Sequence, residues 1–133
     1  MQKLSRADAI WNRACDVNVT ASSPGDRALA ALIVLHGLVM NGGVLHAVEC
    51  HGTQELADAM AGYRFFEFDD VAILLTDAKS LTEAHDIYNL PDDFDSAYDD
   101  FDKRYVTLIR DDDAVFARFA AYLLRNPSDF APP

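Results

Sequence analysis

Imidazole and thiol side chains lie close together in one short stretch of the sequence, VLHAVECH. His46 and Cys50 are four residues apart and would share one face of a helix, with His51 directly after them. Both side chain types bind zinc, but a zinc site needs three or four protein ligands. The other two histidines, His36 and His85, are distant in sequence, so we predict no metal site and no cofactor.

Cys50 and His51 also fail as a catalytic pair, because neighbouring side chains diverge on a helix. No glycine loop that would cradle a phosphate follows a predicted strand. We therefore predict that the protein is not an enzyme. A small helical enzyme or ligand-binding bundle remains an alternative, and it would require the four histidines to converge on a pocket.

Carboxylates form the second chemically distinctive pattern. Residues 67–113 contain fifteen acids and four bases, a net charge of −11 that equals the formal charge of the whole chain. Proteins that bind nucleic acid directly neutralise phosphates with Lys and Arg, so this balance argues against such binding. A protein with a basic surface is the complementary partner. The acidic surface is expected to contain Asp92, Asp93, Asp95, Asp99, Asp102, Asp111, Asp112 and Asp113.

Helical spacing places part of this charge in a row. Asp95, Asp99 and Asp102 follow the i, i+4, i+7 pattern, so they share one helix face with neighbours about 5–6 Å apart. Acids at positions 92–93 and 111–113 precede predicted helices, where the helix dipole favours anions. An ordinary solubilising face is the alternative, and Lys103 would neutralise part of the row.

The elements that position these residues are predicted to be helices. Apolar residues recur at three- and four-residue steps along almost the whole chain, including predicted helices at about 26–40 and 92–109, and no segment alternates as a strand would. We predict an all-α fold, a single compact domain over 1–133 with six to seven helices. No run of about 20 apolar residues and no signal peptide is evident, so we expect a cytoplasmic protein.

Asn41, Gly42 and Gly43 interrupt an apolar helical run. Asn and Gly tolerate the left-handed conformation that ends many helices, so we predict a structural junction here between two helices. The next helix is expected to run from Val44 to Gly52, and another from Thr53 to near Gly62.

With the helices placed, residues 30–130 resemble a small acidic all-helical domain family that includes a bacterial DNA-mimic protein. The shared features are Asn41-Gly42-Gly43, the helix VLHAVECH closed by Gly52, the helix ELADAMAGY, and the tail FARFAAYLLRNPSDF. The family favours Phe, Gln and Asn at three positions where this chain has Val44, His46 and Cys50.

The resemblance implies a non-catalytic binding protein whose surface carboxylates replace DNA phosphates and occupy the DNA-binding face of a regulator. An immunity or antitoxin protein that neutralises a basic toxin is the alternative. The aromatic segment YRFFEF (63–68) and Trp11 could either cover the core or form a self-association surface. We expect a homodimer, because two-fold dimers are the commonest oligomers.

Overall fold

A computed structural model describes residues 5–16, 18–84 and 95–132, and every regular element in these ranges is helical. The predicted all-α class is confirmed. A 3₁₀ turn at Pro127–Asp129 follows the last α-helix. The described α-helices are α1 (Arg6–Cys15), α2 (Pro24–Gly42), α3 (Val44–Cys50), α4 (Thr53–Phe65), α5 (Asp69–Ala84), α6 (Asp95–Leu108) and α7 (Asp112–Arg125).

The central helix is α2, which buries Leu29, Leu32 and Leu35 completely. Its principal neighbour is α4. The prediction that α4 ends near Gly62 was wrong, since the helix continues to Phe65. Gly62 is buried where α4 crosses α2, and a Cβ atom there would lie 2.5 Å from the backbone oxygen of Ala28. The glycine therefore permits a close helix crossing.

The junction between α2 and α3 lies at a single residue. The last residue of α2 is Gly42, and Gly43 adopts a φ of 92°, a conformation that residues with a Cβ rarely adopt. The Gly43 N–H donates to Val39 O at 2.7 Å, which closes the helix, and α3 begins at Val44. The short α3 buries its apolar face and leaves His46 and Cys50 exposed.

The aromatic segment at the end of α4 forms part of the core. Phe66 and Phe68 are buried, and the Phe66 ring lies 6.1 Å from Phe119 and 6.4 Å from Phe130 between centroids. These two phenylalanines are therefore unavailable to an exposed patch. The homodimer stays a prediction. No helix among the described residues has the length and apolar character needed to cross a bilayer.

Candidate functional site

The carboxylates of α6 have different environments. Asp99 is exposed and has no cationic partner among the described residues, and Lys103 forms no ion pair there either. Asp102 is half-buried, and its Oδ1 accepts a hydrogen bond from Val44 N–H at 2.8 Å. Asp102 thus caps the first turn of α3 from a neighbouring helix. The side chain of Asp95 lies outside the described residues, as do Asp92 and Asp93 in full.

The three aspartates before and within the first turn of α7 also differ. Asp111 is the N-cap, accepting from Ala114 N–H at 3.0 Å. Asp112 lies 2.7 Å from the imidazole of His36, although 76% of the Asp112 side chain is exposed. Asp113 is exposed with no cationic partner within the described ranges. Asp111 also forms an ion pair with Arg110 at 3.5 Å, and Asp77 forms one with Arg104 at 3.3 Å.

A chain of hydrogen bonds leads from Asp112 into the core. His36 Nε2 lies 2.7 Å from Asp112 Oδ1, and His36 Nδ1 lies 2.7 Å from the hydroxyl of Tyr105. The Tyr105 hydroxyl lies 2.6 Å from that of Tyr63. His36 is 4% exposed and both tyrosines are fully buried, so this polar chain links α7, α2, α6 and α4 inside the bundle. We call these four residues the relay.

The donors and acceptors of the relay have one consistent order. The ionised Asp112 carboxylate can only accept, so His36 Nε2 must donate to it. Neutral His36 then accepts at Nδ1 from the Tyr105 hydroxyl, which in turn accepts from Tyr63. In the reverse order, with protonated His36, the hydroxyl hydrogen of Tyr63 would have no acceptor among the described residues. The geometry therefore favours neutral His36 with its proton on Nε2.

Burial raises the pKa of both tyrosines of the relay. For Tyr63, desolvation is the main cause, and the charge and hydrogen bond of Tyr105 raise its pKa further. For Tyr105, desolvation raises the pKa more than the hydrogen bond from Tyr63 lowers it. Both hydroxyls therefore keep their protons at neutral pH, as the relay requires.

Two carboxylates are held by groups of α2 and α3. Asp112 accepts a hydrogen bond from His36 of α2, and Asp102 accepts one from the N–H of Val44, the first residue of α3.

The imidazole and thiol groups do not converge. His46 and Cys50 contact each other, with the sulfur 3.6 Å from each ring nitrogen. His36 is engaged in the relay, and His85 lies outside the described residues. Among the residues that the structure describes, no group of three or more His, Cys, Asp or Glu side chains is placed to bind a metal ion.

Sequence reasoning located the acidic residues but missed the relay. His36 is a lone polar residue on an apolar helix, which marks a buried hydrogen-bonding position without naming its partner. Its bonds join residues 69 and 76 positions apart, so no local pattern could pair them.

Residues 21–126 match the model of a protein family described as DMP19-like protein. A search of curated proteins and a search of solved structures each give no match.

Proposed function

We propose a function from one premise: the chain belongs to the DMP19-like family. The family name refers to a DNA-mimic protein, and this chain would act as a non-catalytic binding domain. Its acidic surface would occupy the DNA-binding face of another protein and so compete with DNA. DNA-mimic proteins are in general not enzymes, and we extend this to the chain as part of the proposal.

The observation that supports the proposal, beside family membership, is the exposure of aspartates on α6 and in the first turn of α7. Asp99 and Asp113 are exposed and have no cationic partner among the described residues, and Asp112 is hydrogen-bonded to His36. These groups retain their charge towards solvent. A DNA strand presents about one charge per 3.4 Å of its axis, and a partner that binds phosphates could accept carboxylates instead.

The roles of the aspartates differ within this proposal. Asp99, Asp112 and Asp113 would replace phosphates directly. Asp102 and Asp111 each accept a backbone hydrogen bond, so they contribute charge while they cap α3 and α7. Asp92, Asp93 and Asp95 are also proposed to replace phosphates. The cytoplasm, where DNA and its regulators lie in a bacterial cell, is the proposed location.

The test is an affinity capture from lysate at low salt, followed by release with duplex DNA. We expect DNA to release a DNA-binding protein, and we expect capture to fall with Asp99→Lys or Asp113→Lys. Asp58→Lys is the matched control, because it makes the same charge change at an exposed position on α4. Circular dichroism of each variant should show unchanged helix content.

Other outcomes would contradict the proposal. A captured nuclease or other toxin that salt releases but DNA does not would favour the immunity function. Equal capture by Asp99→Lys and Asp58→Lys would show that only overall charge matters.

A further inference from the structure

The relay joins a buried histidine to an exposed carboxylate. His36 is 4% exposed, whereas 76% of the Asp112 side chain is exposed. Asp112 Oδ1 lies 2.7 Å from His36 Nε2, and Asp112 Oδ2 has no partner among the described residues. One oxygen therefore anchors the carboxylate, while the other remains available to a cation of a binding partner.

The anchored carboxylate differs from that of the next residue. Asp113 is exposed, and its side chain has no hydrogen bond among the described residues, so it loses conformational freedom when a partner binds. Asp112 has already lost part of that freedom, and a preorganised group binds at a lower entropic cost. His36 thus positions a carboxylate of the proposed binding surface from inside the core.

The net charge of the pair formed by His36 and Asp112 depends on a proton. Histidine is the side chain whose ordinary titration, near about pH 6.5, falls in the physiological range. Neutral His36 leaves the pair with the full negative charge of Asp112. Protonation adds a hydrogen at Nδ1, keeps the Nε2–H on Asp112, and brings the net charge of the pair to zero.

The same proton would reverse the rest of the relay. Nδ1 of His36 would donate to Tyr105 and Tyr105 to Tyr63, whose own hydrogen would have no acceptor among the described residues. The relay thus has one arrangement for each protonation state of His36. The carboxylate of Asp112 keeps its anchor in both, so the two states differ at the surface in charge.

The other titratable groups on the neighbouring helices do not neutralise the pair. On α1, burial and then the charge of Asp112 raise the pKa of the Cys15 thiol, which therefore stays uncharged beside the pair. No lysine or arginine of the described ranges forms an ion pair with Asp112. Further charged or titratable side chains on α1, α3 and α7 bond elsewhere or are exposed without a bond to the pair: Arg13, His46, Glu49, Cys50, Asp111 and Asp113.

We propose that His36 is a positioning residue of the acidic surface and makes partner binding depend on pH. With neutral His36, Asp112 meets a cation of the partner as a full anion. With protonated His36 the carboxylate is already neutralised, so the same cation gains less. Binding therefore weakens as the pH falls through the range in which His36 takes up its proton. This inference rests on the proposed function and names a regulation of that same surface.

The test measures the dissociation constant of a synthetic arginine-rich helical peptide at about pH 7.5 and about pH 5.5, at one low ionic strength. In His36→Gln the amide offers an N–H to Asp112 and an oxygen to Tyr105, but it takes up no proton. The measured quantity is the ratio of the dissociation constant at the lower pH to that at the higher pH. We expect this ratio to be about threefold larger in the wild type than in His36→Gln, as one exposed ion pair predicts.

Two further variants separate the pair from the other ionising groups. His46→Gln is the matched control, because it makes the same change at an exposed histidine outside the relay, and it should keep the wild-type ratio. Asp112→Asn should weaken binding at the higher pH and show the smaller ratio of His36→Gln. Circular dichroism checks the helix content of each variant. If His36→Gln fails to fold, the comparison of the wild type with Asp112→Asn decides, since Asp112 is exposed.

Equal ratios in the wild type and in His36→Gln would overturn the inference, as would an equal decrease in His46→Gln. A wild-type ratio in Asp112→Asn would also overturn it, because the pH effect would then act through another group. Failure of the proposed function is a separate result, because duplex DNA would then release no protein from the lysate capture while the peptide ratios still differ as expected.

Discussion

Replacing Tyr105 by phenylalanine tests the order of donors and acceptors in the relay. The substitution removes two hydrogen bonds, at 2.7 Å to His36 and 2.6 Å to Tyr63. It leaves the buried hydroxyl hydrogen of Tyr63 and the buried Nδ1 of His36 without partners. Each unsatisfied group costs about 1–3 kcal/mol, so we expect Tyr105→Phe to lower the free energy of unfolding by about 3 kcal/mol.

Tyr63→Phe should cost much less, although it removes an equally buried hydroxyl. Tyr63 is the first donor of the relay, so its loss leaves only an acceptor lone pair on Tyr105 unused. One net hydrogen bond is worth about 1 kcal/mol. In the double variant no hydroxyl hydrogen is left unpaired, so we expect it to be more stable than Tyr105→Phe alone, by about 1 kcal/mol.

Urea unfolding of the wild type, both single variants and the double variant measures these differences. The midpoint should shift while the denaturant slope stays constant, which would show that only stability has changed. A Tyr63→Phe cost equal to that of Tyr105→Phe, or a double variant whose cost is the sum of the two, would refute the proposed order. The reverse order, with protonated His36, predicts that Tyr63→Phe leaves the Tyr105 hydrogen without an acceptor.

Gly62→Ala should destabilise the protein by about 1–3 kcal/mol, because the added Cβ would collide with the backbone oxygen of Ala28. Gly37→Ala should stabilise it by about 0.5–1 kcal/mol, because no atom lies within 4 Å of the added Cβ. Equal effects of the two substitutions in thermal unfolding would contradict the tight crossing of α2 and α4. Asp102→Ala should lower the free energy of unfolding by about 1 kcal/mol, because the hydrogen bond from Val44 N–H is lost. Asp102→Asn keeps an acceptor oxygen and should lower it less, as measured by chemical denaturation. Identical losses in the two variants would argue against the cap. Stability should fall as the pH rises above about 10, where the unfolded chain ionises its tyrosines. The two buried tyrosines of the relay have raised pKa values and keep their protons in the folded state. Absorbance at 295 nm should show these two ionising only together with unfolding, and early ionisation in the folded state would contradict their burial.

Much of the fold could be predicted because its signals are local. The period of apolar residues located α2 at about 26–40, against Pro24–Gly42 in the structure, and α6 at about 92–109, against a described helix of Asp95–Leu108. Gly43 and Gly62 show the limit of local reasoning, since both were interpreted as helix ends. Only Gly43 has a positive φ; Gly62 is a packing position, and that role depends on the backbone of α2.

The candidate site was predictable in composition but not in detail. Helical spacing places acids at 99 and 102 on one face, because residues three apart on a helix are neighbours. Spacing alone does not show that Asp99 faces solvent while Asp102 caps α3. That difference arises because the N–H of Val44, at the start of α3, has no partner within its own helix and donates to Asp102 instead.

The sequence by itself determined the charge, the all-helical class and the helix break at Asn41-Gly42-Gly43, since each depends on residue type or on neighbours within a few positions. Tertiary structure alone decided that His36, Tyr105 and Tyr63 form a buried chain ending at Asp112. The physical reason is distance along the chain. These contacts join residues 42 to 76 positions apart, and only the packing of α2 against α4, α6 and α7 brings them within bonding range.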